Sequence, residues 1–172
     1  GNLASCLLAL PVVDAELTVT PFFMEPFVAA LPRSHALLKH KTVSLEALGQ
    51  EKLLLLEEGH CLRDQALAAC GLASRASEEV RATSLETLRQ MVGMGIGVTL
   101  LPYLASDGGQ AANSDVVLRP LSSPGASRSI ALVWRKRTPF LDSLTALAQT
   151  LATELPAGVN LIQKSGTKQK NK

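Results

Sequence analysis

Cysteine is scarce in this chain, with three thiols in 172 residues. An odd number this small excludes the disulfide scaffold of a compact secreted domain and points to a reducing, cytoplasmic setting with free thiols. Glycine and proline are also modest, at 12 and 9 without any period, which excludes collagen-like and low-complexity chains. Long apolar runs are missing. The longest, such as Cys6–Leu10 and Leu53–Leu56, fall far short of the roughly 20 residues a bilayer helix needs, so no membrane span is predicted. The opening residues, Gly1-Asn-Leu-Ala-Ser-Cys6, have neither an initiator Met nor a basic n-region, which argues against a signal peptide and for a piece of something longer.

What remains is rich in core-forming material. Hydrophobic residues make up 47% of the chain and charged ones 19%, enough for one large domain or two small ones around a sizeable core. Charge is nearly balanced, at +2 from 17 basic and 15 acidic residues. Lys164, Lys168, Lys170 and Lys172 all fall in the last nine residues, where there is no acid; without them 13 basic residues face 15 acidic ones. The body is therefore no polyanion-binding surface by itself, and residues 157–172 read as a solvated, mostly disordered tail.

Short β-forming runs alternate with helical patterns. Strands are predicted at Ser5–Leu10, Leu17–Phe22, Phe27–Leu31, Lys52–Leu56, Glu79–Ala82, Gly97–Leu101, Val116–Leu118 and Ser129–Arg135. Several are unbroken apolar runs, the pattern of strands covered on both faces. Ser44 is placed to cap a short helix that Gly49 ends. Thr83 with Glu86 three residues on forms a capping-box pattern, followed by the stripe Leu85, Leu88, Val92. Thr138-Pro139 opens the last helix, with the stripe Leu141, Leu144, Ala148, Leu151, Leu155 and a stop at Pro156. Ser106–Ser114 is a loop. The alternation predicts an α/β fold with a largely parallel sheet.

One window carries chemistry: Glu57-Glu-Gly-His-Cys-Leu-Arg-Asp-Gln-Ala-Leu-Ala-Ala-Cys-Gly71. The Leu53–Leu56 strand enters a glycine turn, then His60-Cys61, then a helix-forming run closed by Gly71. Cys61 thus stands near a helix N-terminus. Backbone N–H groups and the helix dipole favour a thiolate there, as do Arg63 and a protonated His60. Glu57 and Glu58 oppose it. The plainer reading is two small buried residues that happen to be cysteines.

If Leu62–Ala69 is helical, Cys61 and Cys70 lie about 13 Å apart along the axis and on opposite sides of the helix. A disulfide needs Cα atoms within about 7 Å. The two sulfurs could join only if the segment unwound. A zinc site fits poorly, with His35 and His40 remote from Cys61 and Cys70. Cys6, inside a strand run, reads as core, and no serine occupies a nucleophile-elbow context. No metal or cofactor is predicted.

The run Leu53-Leu-Leu-Leu-Glu-Glu-Gly-His-Cys-Leu-Arg-Asp-Gln-Ala66, with Cys70 beyond it, resembles the peroxide-sensing branch of the LysR-type transcriptional regulators. Arg81-Ala-Thr-Ser-Leu-Glu-Thr-Leu-Arg89 and Met91-Val-Gly-Met-Gly-Ile-Gly-Val-Thr-Leu-Leu-Pro102 resemble them too, as do Phe23-Met-Glu-Pro26 and Leu31-Pro-Arg-Ser-His35. The likeness covers residues 1–155. It implies an α/β, periplasmic-binding-protein-like type 2 regulatory domain of two Rossmann-like subdomains, the first one incomplete. Residues 1–24 and 128–156 would belong to subdomain I, and 25–127 to subdomain II.

The resemblance also implies a reaction. Hydrogen peroxide oxidises Cys61 to a sulfenic acid, Cys70 resolves it to a disulfide, and glutaredoxin or thioredoxin reverses it. Gly59, His60 and Arg63 match residues around the reactive thiol. The conformational change would alter DNA binding through an N-terminal helix-turn-helix that does not lie within this chain. RNA polymerase and a second copy, as homodimer or tetramer, are the further partners implied. Two other readings stay open. A LysR-type domain could sense a small organic anion in the cleft between subdomains, with Thr83 and Ser84 at a helix N-terminus holding its carboxylate. A thiol peroxidase would share the first step but turn over; the flanking sequence favours a regulator over an enzyme.

Overall fold

The computed structural model describes residues 3–70, 80–109, 115–122 and 126–162. The expected closure at Gly71, the start of the Glu79 strand, part of the 106–114 loop and the end of the tail lie outside these. Two compact units emerge. One comprises Gly1–Met24, Ser129–Leu155 and Asn160–Lys172, the other Glu25–Arg128 and Pro156–Val159.

The second unit is built on antiparallel partners of one long strand and on a two-stranded parallel sheet. β2 (Leu17–Pro32) pairs antiparallel with β5 (Thr99–Pro102) and with β6 (Val116–Pro120), while β3 (Leu54–Leu56) pairs parallel with β4 (Val80–Ala82). A parallel bridge, Leu53 to Val98, joins the β3 side to the β5 side. Alternate residues of β2 feed two cores. Phe27, Ala29 and Leu31 face Leu48 of α1 (Leu45–Gly49) and Ala66 and Leu67 of α2 (Cys61–Cys70). Val28 and Ala30 face Leu88 and Val92 of α3 (Leu85–Gly93). This period-two division explains why the run reads as continuously hydrophobic.

In the first unit, β1 (Ser5–Ala9) pairs antiparallel with β7 (Ser127–Arg135), from Ser5 opposite Trp134 to Ala9 opposite Ile130. α4 (Leu141–Thr153) packs on it through Leu144, buried with Leu132 and Trp134. The rest of the predicted stripe is less covered: Leu141 is 49% exposed. A groove of about 450 Å³ lies beside α4, lined by Phe22, Leu132, Trp134, Ala148, Leu161 and Ile162 among others.

Several sequence expectations need correction. The sheet is not largely parallel, because β2 runs against β5, β6 and also β8 (Asn160–Leu161). The strands expected at 17–22 and 27–31 are one strand of 16 residues. Proline cannot donate to a ladder. Pro26 is tolerated because it falls between the stretch paired with β8, Phe23–Met24, and the stretch paired with β5, which begins at Phe27. β8 is a strand where the sequence predicts a tail. Residues 106–109 belong to the 3-10 segment Tyr103–Gly109 rather than to a loop.

Helix ends differ as well. Ser44 caps α1 as expected, its Oγ accepting from Ala47 N at 3.1 Å. The cap of α3, however, is Ser84 and not Thr83. Ser84 Oγ accepts from Thr87 N at 3.1 Å, one residue out of phase with the Thr83–Glu86 box. α4 starts at Leu141 and ends at Thr153; Thr138 instead accepts from Phe140 N in the preceding turn.

The glycine motif after α3 has two separate causes. Gly95 holds φ +74°, the left-handed region that favours glycine. At Gly97 a Cβ would stand 2.4 Å from the carbonyl oxygen of Lys52, so only glycine lets Val98 donate to that same carbonyl at 2.9 Å. That close approach fixes the strand from which α2 is launched.

Candidate functional site

β3 delivers the chain to the site fully buried, and the turn that follows needs Gly59, whose φ of +92° has open space around it. The demand there is conformational rather than steric. His60 N donates to Glu57 O at 3.4 Å and Arg63 N to His60 O at 2.9 Å, which closes the turn into the helix. α2 then begins at Cys61, whose side chain is exposed. His60 is exposed beside it.

Cys61 and Cys70 are the two ends of one unbroken helix of ten residues. Nine steps at ~1.5 Å carry the backbone about 13 Å along the axis and turn it by about 900°, to the opposite side. No disulfide can span that. The helix is lightly held. Among its described side chains the buried apolar ones are Ala66 and Leu67, with Leu62 half-buried. Burial of one leucine contributes about 2 kcal/mol, and a helix this short is marginal without its packing.

The other residues singled out by the sequence divide. Arg63 is 8% exposed and lines a small cavity with Leu55, Leu56, Leu85 and Leu88. It follows Cys61 by two helical positions, about 200° further round the axis. Its Nη1 lies 3.4 Å from Asp64 Oδ1. Of the two opposing acids, Glu58 is engaged by Arg81 Nη2 at 3.1 Å in an exposed pair. Thr83 and Ser84 sit at the β4–α3 junction, with Ser84 Oγ already committed to Thr87 N and within 2.9 Å of Thr87 Oγ1. Cys6 is half-buried on β1, its Sγ 4.0 Å from Val133 O. Among the described residues, no group of three His, Cys, Asp or Glu could hold a metal ion, and no helix is long and apolar enough to cross a membrane.

A polar cluster beside α2 was not visible in the sequence. Glu25 is buried to 1% exposure, and both its oxygens are used. Oε1 accepts from Leu104 N at 2.8 Å, and Oε2 accepts from Arg128 Nε at 2.7 Å. Arg128 Nη1 in turn reaches Gln65 Oε1 of α2 at 3.4 Å. A lone acid inside the apolar run Pro21–Leu31 was the available signal, since a buried carboxylate demands a partner. Nothing in the spacing says which of the arginines supplies it.

A family model described as the LysR substrate binding domain matches residues 5–156. The chain is 38% identical over 166 residues to the DNA-binding transcriptional dual regulator OxyR of Escherichia coli (strain K12), an alignment covering 95% of this chain and 54% of that protein. It thus spans about half the length of the curated relatives it matches. Among solved structures, a reduced form of OxyR from N. meningitidis superposes with a TM-score of 0.81 at 27% identity, over 94% of this chain and 76% of the other. An oxidised form of OxyR gives a TM-score of 0.73 at 39% identity, over 88% and 71%.

Proposed function

The chain belongs to the LysR substrate-binding-domain family, and on that premise we propose that it is the redox-sensing regulatory part of a hydrogen-peroxide-responsive transcription regulator. A single observation carries the reading: one continuous helix with a cysteine at each end, the first of them exposed at its N-terminus.

The chemistry is a two-electron oxidation in two steps. The Cys61 thiolate attacks one oxygen of hydrogen peroxide. The O–O bond breaks, the sulfur is oxidised to a sulfenic acid, and the departing hydroxide takes up a proton as water. Cys70 then attacks the sulfenic sulfur, the S–O bond breaks as the S–S bond forms, and a second water leaves with the thiol proton. The first step needs no opening of the helix, because Cys61 is exposed at its first position. The second does need it. α2 must open before the sulfurs meet, so oxidation state and backbone conformation are one variable. A dithiol reductant of the glutaredoxin or thioredoxin kind, in a reducing cytoplasm, would reset it. One oxidation per signal suffices, which separates a sensor from a turning-over peroxidase. DNA contact, RNA polymerase contact and assembly as homodimer or tetramer would be outputs of a longer protein.

One equivalent of hydrogen peroxide, followed by alkylation, digestion and mass spectrometry, should yield a peptide pair joined through Cys61 and Cys70. Alkylated Cys61 alongside oxidised Cys6 would contradict the assignment.

A further inference from the structure

Glu25 and Arg128 hold unusual places in the chain. They are the first and last residues of the long segment of the second unit, and each lies on a strand, β2 or β7, that continues into the first unit. Their ion pair therefore ties β2 to β7 within the second unit, at the residue where each strand enters or leaves it. The carboxylate is nearly inaccessible, and both its oxygens are taken. A buried pair of this kind is sensitive to the loss of any one partner.

Arg128 has its Nε on Glu25 and its Nη1 on Gln65. Gln65 is on α2, four residues from Cys61 and five from Cys70. We propose that Gln65 is a latch: it holds the outer edge of the Arg128 guanidinium while α2 is helical, and lets go when α2 unwinds, so that thiol oxidation loosens the two crossing strands. The proposal rests on the redox reading above. Position 65 lies in the middle of the stretch whose opening lets the sulfurs meet. Arg128 then keeps Glu25 but loses its second anchor. The nearest backbone reporter is the Phe27 amide. It donates to Ala126 O at 2.9 Å, next to both charged residues, one from β2 and one from the residue preceding β7.

Amide hydrogen exchange at Phe27, in the reduced full chain, tests the latch with Gln65→Ala and Gln65→Glu. Loss of one hydrogen bond predicts about two- to tenfold faster exchange in Q65A than in the wild type. The carboxylate of Q65E keeps Arg128 anchored, so exchange no faster than wild type is expected. Peroxide should speed Phe27 exchange in the wild type toward the Q65A rate and change Q65A little. Equal Phe27 exchange in reduced wild type and Q65A overturns the latch, as does Q65E matching Q65A. If Q65A also melts α2, the Q65E comparison alone decides. Peptide mapping of the same samples reports the Cys61–Cys70 link separately. A missing link would refute the redox reading while leaving the comparison of reduced variants as a test of the latch.

Discussion

Hydrogen peroxide added to a Cys61→Ser variant should leave residues 61–70 covalently unchanged and α2 as protected as in the reduced protein. A serine hydroxyl has no counterpart to sulfenic acid formation, so the loss is complete rather than graded. Cys70→Ser should behave differently. Cys61 still loses its electrons, but the reaction stalls at the sulfenic acid, which a sulfenic-acid-trapping reagent captures and excess peroxide carries on to sulfinic acid. Intact mass and thiol counting across the three proteins read this directly. A Cys61→Ser chain that still changed conformation with signal would pass the function to another chemistry, with an organic anion at Thr83 and Ser84 the nearest alternative. Ser84 already spends its hydroxyl on the helix cap.

The stability of α2 should set the reduction potential of the Cys61–Cys70 pair. Ala68 is an exposed interior position of α2, so substitutions there act on the helix with little effect on the core. Ala68→Gly costs a helix about 1 kcal/mol, and Ala68→Pro about 3 kcal/mol. That cost falls on the reduced form alone, because the linked form has already given up the helix. Destabilising the reduced form favours the disulfide. For this two-electron couple ~1.4 kcal/mol corresponds to ~30 mV, so the potential should become more negative by roughly 20 mV for the glycine and 65 mV for the proline variant. Equilibration against a glutathione or dithiothreitol buffer measures both. Potentials that do not move, or that rise, would mean that the helix and the bond do not compete.

Local signals survived the passage from sequence to structure better than distant ones. The Cys61 window was legible because a strand, a positive-φ glycine and a helix N-terminus follow each other within a few residues, and Ser44 was legible as a cap for the same reason. The cap of α3 was misplaced by one residue, since Thr83 and Ser84 both have the chemistry of a cap and only backbone geometry selects Ser84. The strands predicted at 17–22 and 27–31 are continuous through Pro26. The strand changes partners there, which no local pattern reveals. Arg63 reads as support for Cys61 by adjacency, and the sequence does not show that its side chain is buried while that of Cys61 is exposed. Least legible was the Glu25, Arg128 and Gln65 cluster, whose members are separated by 103 and 63 positions and meet only in the folded chain.

The most direct test is amide exchange along α2 in the reduced chain and in the chain carrying the Cys61–Cys70 link. Backbone N–H groups from Gln65 onward depend on i to i−4 bonds that exist only in the helix. The account predicts protected amides before oxidation and near-complete loss of that protection after it. A linked chain whose amides stay protected through residues 65–70 would mean that the sulfurs had met without the backbone moving, and would contradict it.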